Sequence, residues 1–173
     1  MPDVMNVGMG DLCVAKGPAL YQCIGLGSCI GFTAFDPRAE VSGCVHIMLP
    51  EHFKGKPVDK VGKYADLAID ELIAQMAALG ANPRLLRCAY AGGAQVFKFG
   101  EQTSNNLQIG SRNAEMVQQM TRKLGLRPHA TDVGGTMGRT LNFDAVSGIV
   151  KVRTLHQEER ILAELNLMSA RAA

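Results

Sequence analysis

ALYQCIGLGSCIGFTAFDPRAEVSGCVHIML, residues 19–49, is the stretch on which the fold turns. On both sides of its glycine-rich centre the run is apolar enough for buried strand. Ile30–Asp36 and Val41–Leu49 have strand composition, and the Asp36-Pro37-Arg38-Ala39 between them is turn chemistry. With Pro37 and Arg38 as the loop, the antiparallel hairpin sets Cys29 directly opposite His46. Directly opposed side chains share a face, with Cβ atoms about 4.5–5.5 Å apart, whereas a slip of one residue sends them to opposite faces. Pro37 disfavours a two-residue turn of type I′, but a longer loop with the same centre keeps the pairing.

That pairing has chemical content. A free thiol titrates near 8.5, so only about 3% is thiolate at neutral pH. An adjacent imidazole can take the thiol proton and later return it to a leaving amine. Gly25, Gly27 and Ser28 leave the backbone before Cys29 open to substrate, and amides there could donate to a developing oxyanion. Plainer readings stand beside this one. His46 could be a satisfied histidine at a sheet edge, and buried cysteines usually serve as small hydrophobes. Cys23, Cys29, Cys44 and His46 also offer four soft ligands, although they lack the spacing of a zinc knuckle.

The remainder of the sequence limits the setting. A chain of 173 residues, 47% hydrophobic and 20% charged, is long enough for one domain with a substantial core. A net charge of +2 with mixed signs supplies no basic block for nucleic acid or a membrane surface. MPDVMNVGMGDL has no basic region followed by an apolar core, and no run is long and apolar enough to span a bilayer. Five cysteines without a C-x-x-C pair argue against a disulfide framework. A cytoplasmic protein is expected, without membrane insertion, metal or cofactor.

Helical periodicity runs from about residue 58 to 79 and stops at Gly80. A second helix is expected from about Ser111, as N-cap, to Leu124. Arg84–Ala91, His129–Val133, Thr140–Phe143 and Ile149–Thr154 read as strands, and 156–171 as a terminal helix with a weak apolar stripe. His52, His129 and His156 read as surface residues. Two main helices among six or more strands joined by short turns predict an α+β fold with a mostly antiparallel sheet.

Five ordered blocks carry a resemblance: GLGSC (25–29), the histidine of HIMLP (46–50), AGGAQVF (91–97), IGSRNAE (109–115) and DVGGTMGRTLNFDAVSGIVKVR (132–153). Together they resemble the chemoreceptor glutamine deamidase family, CheD, over roughly residues 5–155, leaving 156–173 as a tail. The resemblance implies a layered α/β/β sandwich and a hydrolase that converts glutamine side chains of methyl-accepting chemotaxis receptors to glutamate, releasing ammonia. It implies Cys29 as nucleophile and His46 as general base. It also implies a regulatory partner, since some members bind a CheC-type phosphatase. The family's third catalytic member, usually threonine, falls here on Cys23, whose thiol is a weaker hydrogen-bond partner and should orient His46 less firmly. Gly134-Gly135 and Gly138-Arg139 match a family block and suit either a tight turn or a substrate contact. Two other functions compete: a non-catalytic adaptor that keeps the fold and binds a signalling partner, and a thiol peptidase.

Overall fold

A computed structural model of the chain describes residues 1–96 and 108–166. Among these residues ten strands form two five-stranded sheets. They are β1 (Val4–Asn6), β2 (Leu12–Lys16), β3 (Leu20–Leu26), β4 (Ile30–Asp36), β5 (Val41–Ile47), β6 (Arg87–Gly92), β7 (Pro128–Val133), β8 (Arg139–Asp144), β9 (Ile149–Thr154) and β10 (Gln157–Glu164). One sheet runs β1-β3-β8-β9-β10 and the other β2-β5-β4-β6-β7. Among the described residues only the β1–β3 and β6–β7 strand pairs are parallel. The two main helices are α1 (Ala65–Ala78) and α2 (Ile109–Lys123).

The layering follows from which faces are apolar. Every residue of β4 and β5 is buried, as expected for the central strands of a sheet covered on both sides. Ile30, Phe32, Val45 and Ile47 pack with Ile69, Leu72 and Met76 of α1 and Val117 and Met120 of α2. The opposite face carries Cys29, Phe35, Cys44, Ala89 and Ala91, which meet Tyr21, Cys23, Leu141, Phe143 and Val152 of the other sheet. In β8 buried Leu141 and Phe143 alternate with half-buried Thr140, Asn142 and Asp144, because only one face of that sheet is covered. The result is the expected α+β fold, layered helix, sheet, sheet.

Four expectations need correction. The helix before Gly80 begins at Ala65, not near residue 58. Val61–Lys63 makes a single tight turn, and Tyr64 is extended and bridges Leu49. Ser111 lies inside α2 and gives its hydroxyl hydrogen to the carbonyl of Gln108, which holds the N-cap position. The expected terminal helix is strand β10 as far as Glu164. It pairs with β9, and that edge position explains why its helical apolar stripe was weak. Residues 167–171 of that expected helix, and Phe97 of the AGGAQVF block, lie outside the described residues.

The fourth correction concerns the hairpin. In the observed register His46 stands opposite Gly31, and Ile30 opposite Ile47, so Cys29 lies two residues from its expected place against His46. Asp36 causes the shift. Its Oδ1 accepts from the amides of Arg38 and Ala39, at 3.0 and 3.2 Å, which winds a turn over the first loop residues. Glu40 then takes φ of 55° and closes a four-residue connection centred one residue later than expected.

Candidate active site

A shift of two residues preserves the face. Cys29 and Cys44 both belong to the layer between the sheets, and His46, two positions after Cys44, points the same way. Cys29, the residue before β4, and His46 thus lie on one face, two register positions apart. Cys29 ends the loop joining β3 to β4 and keeps 8% of its surface exposed; His46 keeps 1%.

The loop is held by its carbonyls. The amide of Ala94 donates to Gly27 at 2.8 Å and that of Gly93 to Cys29 at 2.9 Å. Between them Asn113 donates its Nδ2 to Ser28 and also to Met48, both at 2.9 Å. Gly92 makes the approach possible: its φ is 126°, and a Cβ there would sit 2.0 Å from the Cys29 oxygen. Arg139, buried, secures the same region by donating to the carbonyls of Gly92 and Gly134 and pairing with Asp132. The Gly134–Gly138 stretch is thus a turn between β7 and β8, tied through Arg139 to the end of β6.

His46 is gripped by the segment before β2. Its Nδ1 stands 2.9 Å from the carbonyl oxygen of Val7 and so donates to it. Its backbone amide donates to Asp11, and its carbonyl accepts from Gly10. With Nδ1 carrying the hydrogen, Nε2 keeps a lone pair, and that buried atom has no partner among the described residues. Burial holds the imidazole below its ordinary value of 6.5, opposed in part by the Val7 carbonyl and the Asp11 carboxylate. Burial likewise pushes the Cys29 thiol above its ordinary 9.0, helped by Cys23. Both shifts favour the uncharged forms, thiol and neutral imidazole.

Cys23 is fully buried and stands over Gly31, where a Cβ would meet its Sγ at 3.3 Å. Its own hydrogen bond is to Cys44, with the sulfurs 3.5 Å apart. His46 meets the Val7 carbonyl through Nδ1, while Cys23 meets Cys44. A backbone carbonyl such as that of Val7 leaves no mark in a sequence. Asn113 had one signal, its place in the IGSRNAE block. Among the described residues no group of three or more His, Cys, Asp or Glu side chains is placed to hold a metal. Of the other histidines only His156 is exposed; His52 and His129 are half-buried, and the ring of His52 lies edge-on to Tyr64 at 5.0 Å.

The fold thus places a cysteine and a histidine on one face of the layer between its sheets. A family model described as CheD chemotactic sensory transduction matches residues 48–154, and the chain belongs to that family. It is 43% identical over 162 residues to the probable chemoreceptor glutamine deamidase CheD of Desulfitobacterium hafniense strain DSM 10664 / DCB-2, covering 94% of this chain and all of that one. It is 42% identical to the chemoreceptor glutamine deamidase CheD of Halalkalibacterium halodurans, covering 92% of this chain and 99% of that one. A third relative, the probable chemoreceptor glutamine deamidase CheD of Caldanaerobacter subterraneus subsp. tengcongensis, is 41% identical over 88% of this chain and 93% of its own length. No helix among the described residues is long and apolar enough to cross a membrane.

Proposed function

We propose that the protein hydrolyses the side-chain amide of selected glutamines in methyl-accepting chemotaxis receptors, leaving glutamate and releasing ammonia. The observation that carries this reading is the His46 ring, fixed by Val7 so that Nε2 offers its lone pair on the face shared with Cys29. His46 takes the thiol proton as Sγ attacks the carboxamide carbon. The carbonyl oxygen gains negative charge, which loop amides stabilise. The tetrahedral intermediate collapses, the C–N bond breaks, and ammonia leaves with the proton from His46. Water, deprotonated by the same ring, then opens the thioester and frees the thiol. Because both groups begin neutral, no buried ion pair has to be maintained between turnovers.

Identity of 42% and 43% over nearly the whole of two relatives named as deamidases supports the same activity here. The decisive experiment is ammonia release from a purified receptor fragment, with the conversion of individual glutamines followed by mass spectrometry. Cys29→Ala and Cys29→Ser should abolish release while melting as cooperatively as the unaltered protein. Ammonia release by either variant at the unaltered rate would reject Cys29 as nucleophile. Cleavage of the receptor chain instead would identify a peptidase. A CheC-type phosphatase is the regulatory partner this reading implies, and co-elution of the two purified proteins tests it.

A further inference from the structure

Asn113 bridges the two halves of the candidate site, although it reaches neither reacting group. It is fully buried in the first turns of α2, and its single amide nitrogen donates both to Ser28, the residue before Cys29, and to Met48, two residues beyond His46. The helix is seated closely enough for this by two glycines. A Cβ on Gly110 would lie 2.4 Å from the carbonyl oxygen of Ala94, and one on Gly93 would lie 2.8 Å from that of Gly110.

The consequence follows from peptide geometry. In a planar trans peptide the carbonyl and the next amide point in opposite directions. Asn113 draws the Ser28 carbonyl toward the buried base of α2, so the Cys29 amide is turned the other way. The Gly27 carbonyl, held by Ala94, does the same for the amide of Ser28. Neither the Ser28 nor the Cys29 amide donates to a backbone carbonyl among the described residues. Two adjacent donors on the loop that bears the thiol are what an oxyanion forming at the attacked carbon requires.

We propose that Asn113 is a positioning residue: by holding the Ser28 carbonyl it aims the Cys29 amide, together with that of Ser28, at the oxyanion of the tetrahedral intermediate. This rests on the deamidase reading above. The test separates acylation, which develops an oxyanion, from alkylation of the same thiol by iodoacetamide, a displacement that does not. Asn113→Ala should lower kcat for ammonia release by about 100-fold, the scale of a lost oxyanion donor, with KM little changed and the alkylation rate of Cys29 preserved. Asn113→Ser, which leaves a polar group in the space, should show the same split more mildly and decides the matter if the alanine variant does not fold. An unaltered kcat in a folded variant would overturn the proposal. So would a parallel fall in alkylation and deamidation, because the residue would then act on the thiol or the fold in general. Failure of the unaltered protein to release ammonia, by contrast, would overturn the deamidase reading itself and this proposal with it.

Discussion

The Nδ1 of His46 donates to the carbonyl oxygen of Val7 across 2.9 Å and 39 residues of chain. This bond selects the tautomer with an open Nε2. His46→Ala should therefore remove most deamidation, with activity returning partly at high pH as the thiol ionises unaided. Since burial raises the Cys29 thiol, the midpoint of the recovery should lie above the ordinary thiol value of 9.0. Nitrogen NMR of the unaltered protein should find the ring protonated at Nδ1; the opposite tautomer would remove the basis for His46 as base.

Stability should follow the same two groups. The folded imidazole titrates below 6.5, so between its folded and unfolded values the unfolded chain binds more protons. The contribution is present in full above 6.5 and is lost as pH falls through 6.5 toward the folded value. The Cys29 thiol has the reverse sign: its contribution is complete below 9.0 and is lost as pH rises from there toward its higher folded value. Melting temperatures across both limbs, compared with His46→Asn and Cys29→Ala, should show each limb flattened by its own substitution. Unchanged limbs would contradict this assignment.

Cys23 should prove dispensable for rate. Its thiol is engaged with Cys44, and His46 is oriented from the other side. Cys23→Ala should keep a kcat close to that of the unaltered protein and cost roughly 1–2 kcal/mol of stability through the lost contact. Cys23→Thr should also leave the rate nearly unchanged, at a cost of about 1–3 kcal/mol if its hydroxyl finds no acceptor in the dry layer between the sheets. A folded Cys23→Ala with no activity would show that the thiol takes part directly.

Gly92→Ala should be among the most damaging single changes. The added Cβ would overlap the Cys29 carbonyl, and φ of 126° is hostile to any side chain. We expect about 3 kcal/mol or more of destabilisation and loss of ammonia release. Gly17→Ala is the control: φ is also positive there, at 88°, but nothing lies within 4 Å. It should cost only about 1 kcal/mol and retain full activity. Equal effects at the two positions would mean that contact with Cys29 is unimportant.

What was legible in the sequence was what composition and periodicity encode. The buried runs of β4 and β5, the stop of α1 at Gly80 and β9 from Ile149 to Thr154 all announced themselves. The hairpin centre did not, because it depended on Asp36 bonding to amides of the loop, which no pattern of apolar residues records. The C-terminal strand was missed because an edge strand needs few apolar residues. At the candidate site the sequence singled out Cys29 and His46, and the structure sets both on the face between the sheets. The groups that orient them were hidden, since Val7 contributes only a carbonyl and Asn113 acts on one.

The hairpin bearing Cys29 and His46 is a local structure, yet the bonds that tune it are not. Val7 reaches His46 across 39 residues, while Asn113 reaches Met48 across 65 and Ser28 across 85. Contacts so distant in sequence incur the largest loop-closure entropy and set a slow pace for folding. A nascent or partly opened chain can thus hold the thiol and imidazole on one hairpin while lacking a fixed tautomer and directed amides. On the deamidase reading proposed above, hydrolytic competence belongs to the finished topology rather than to the hairpin.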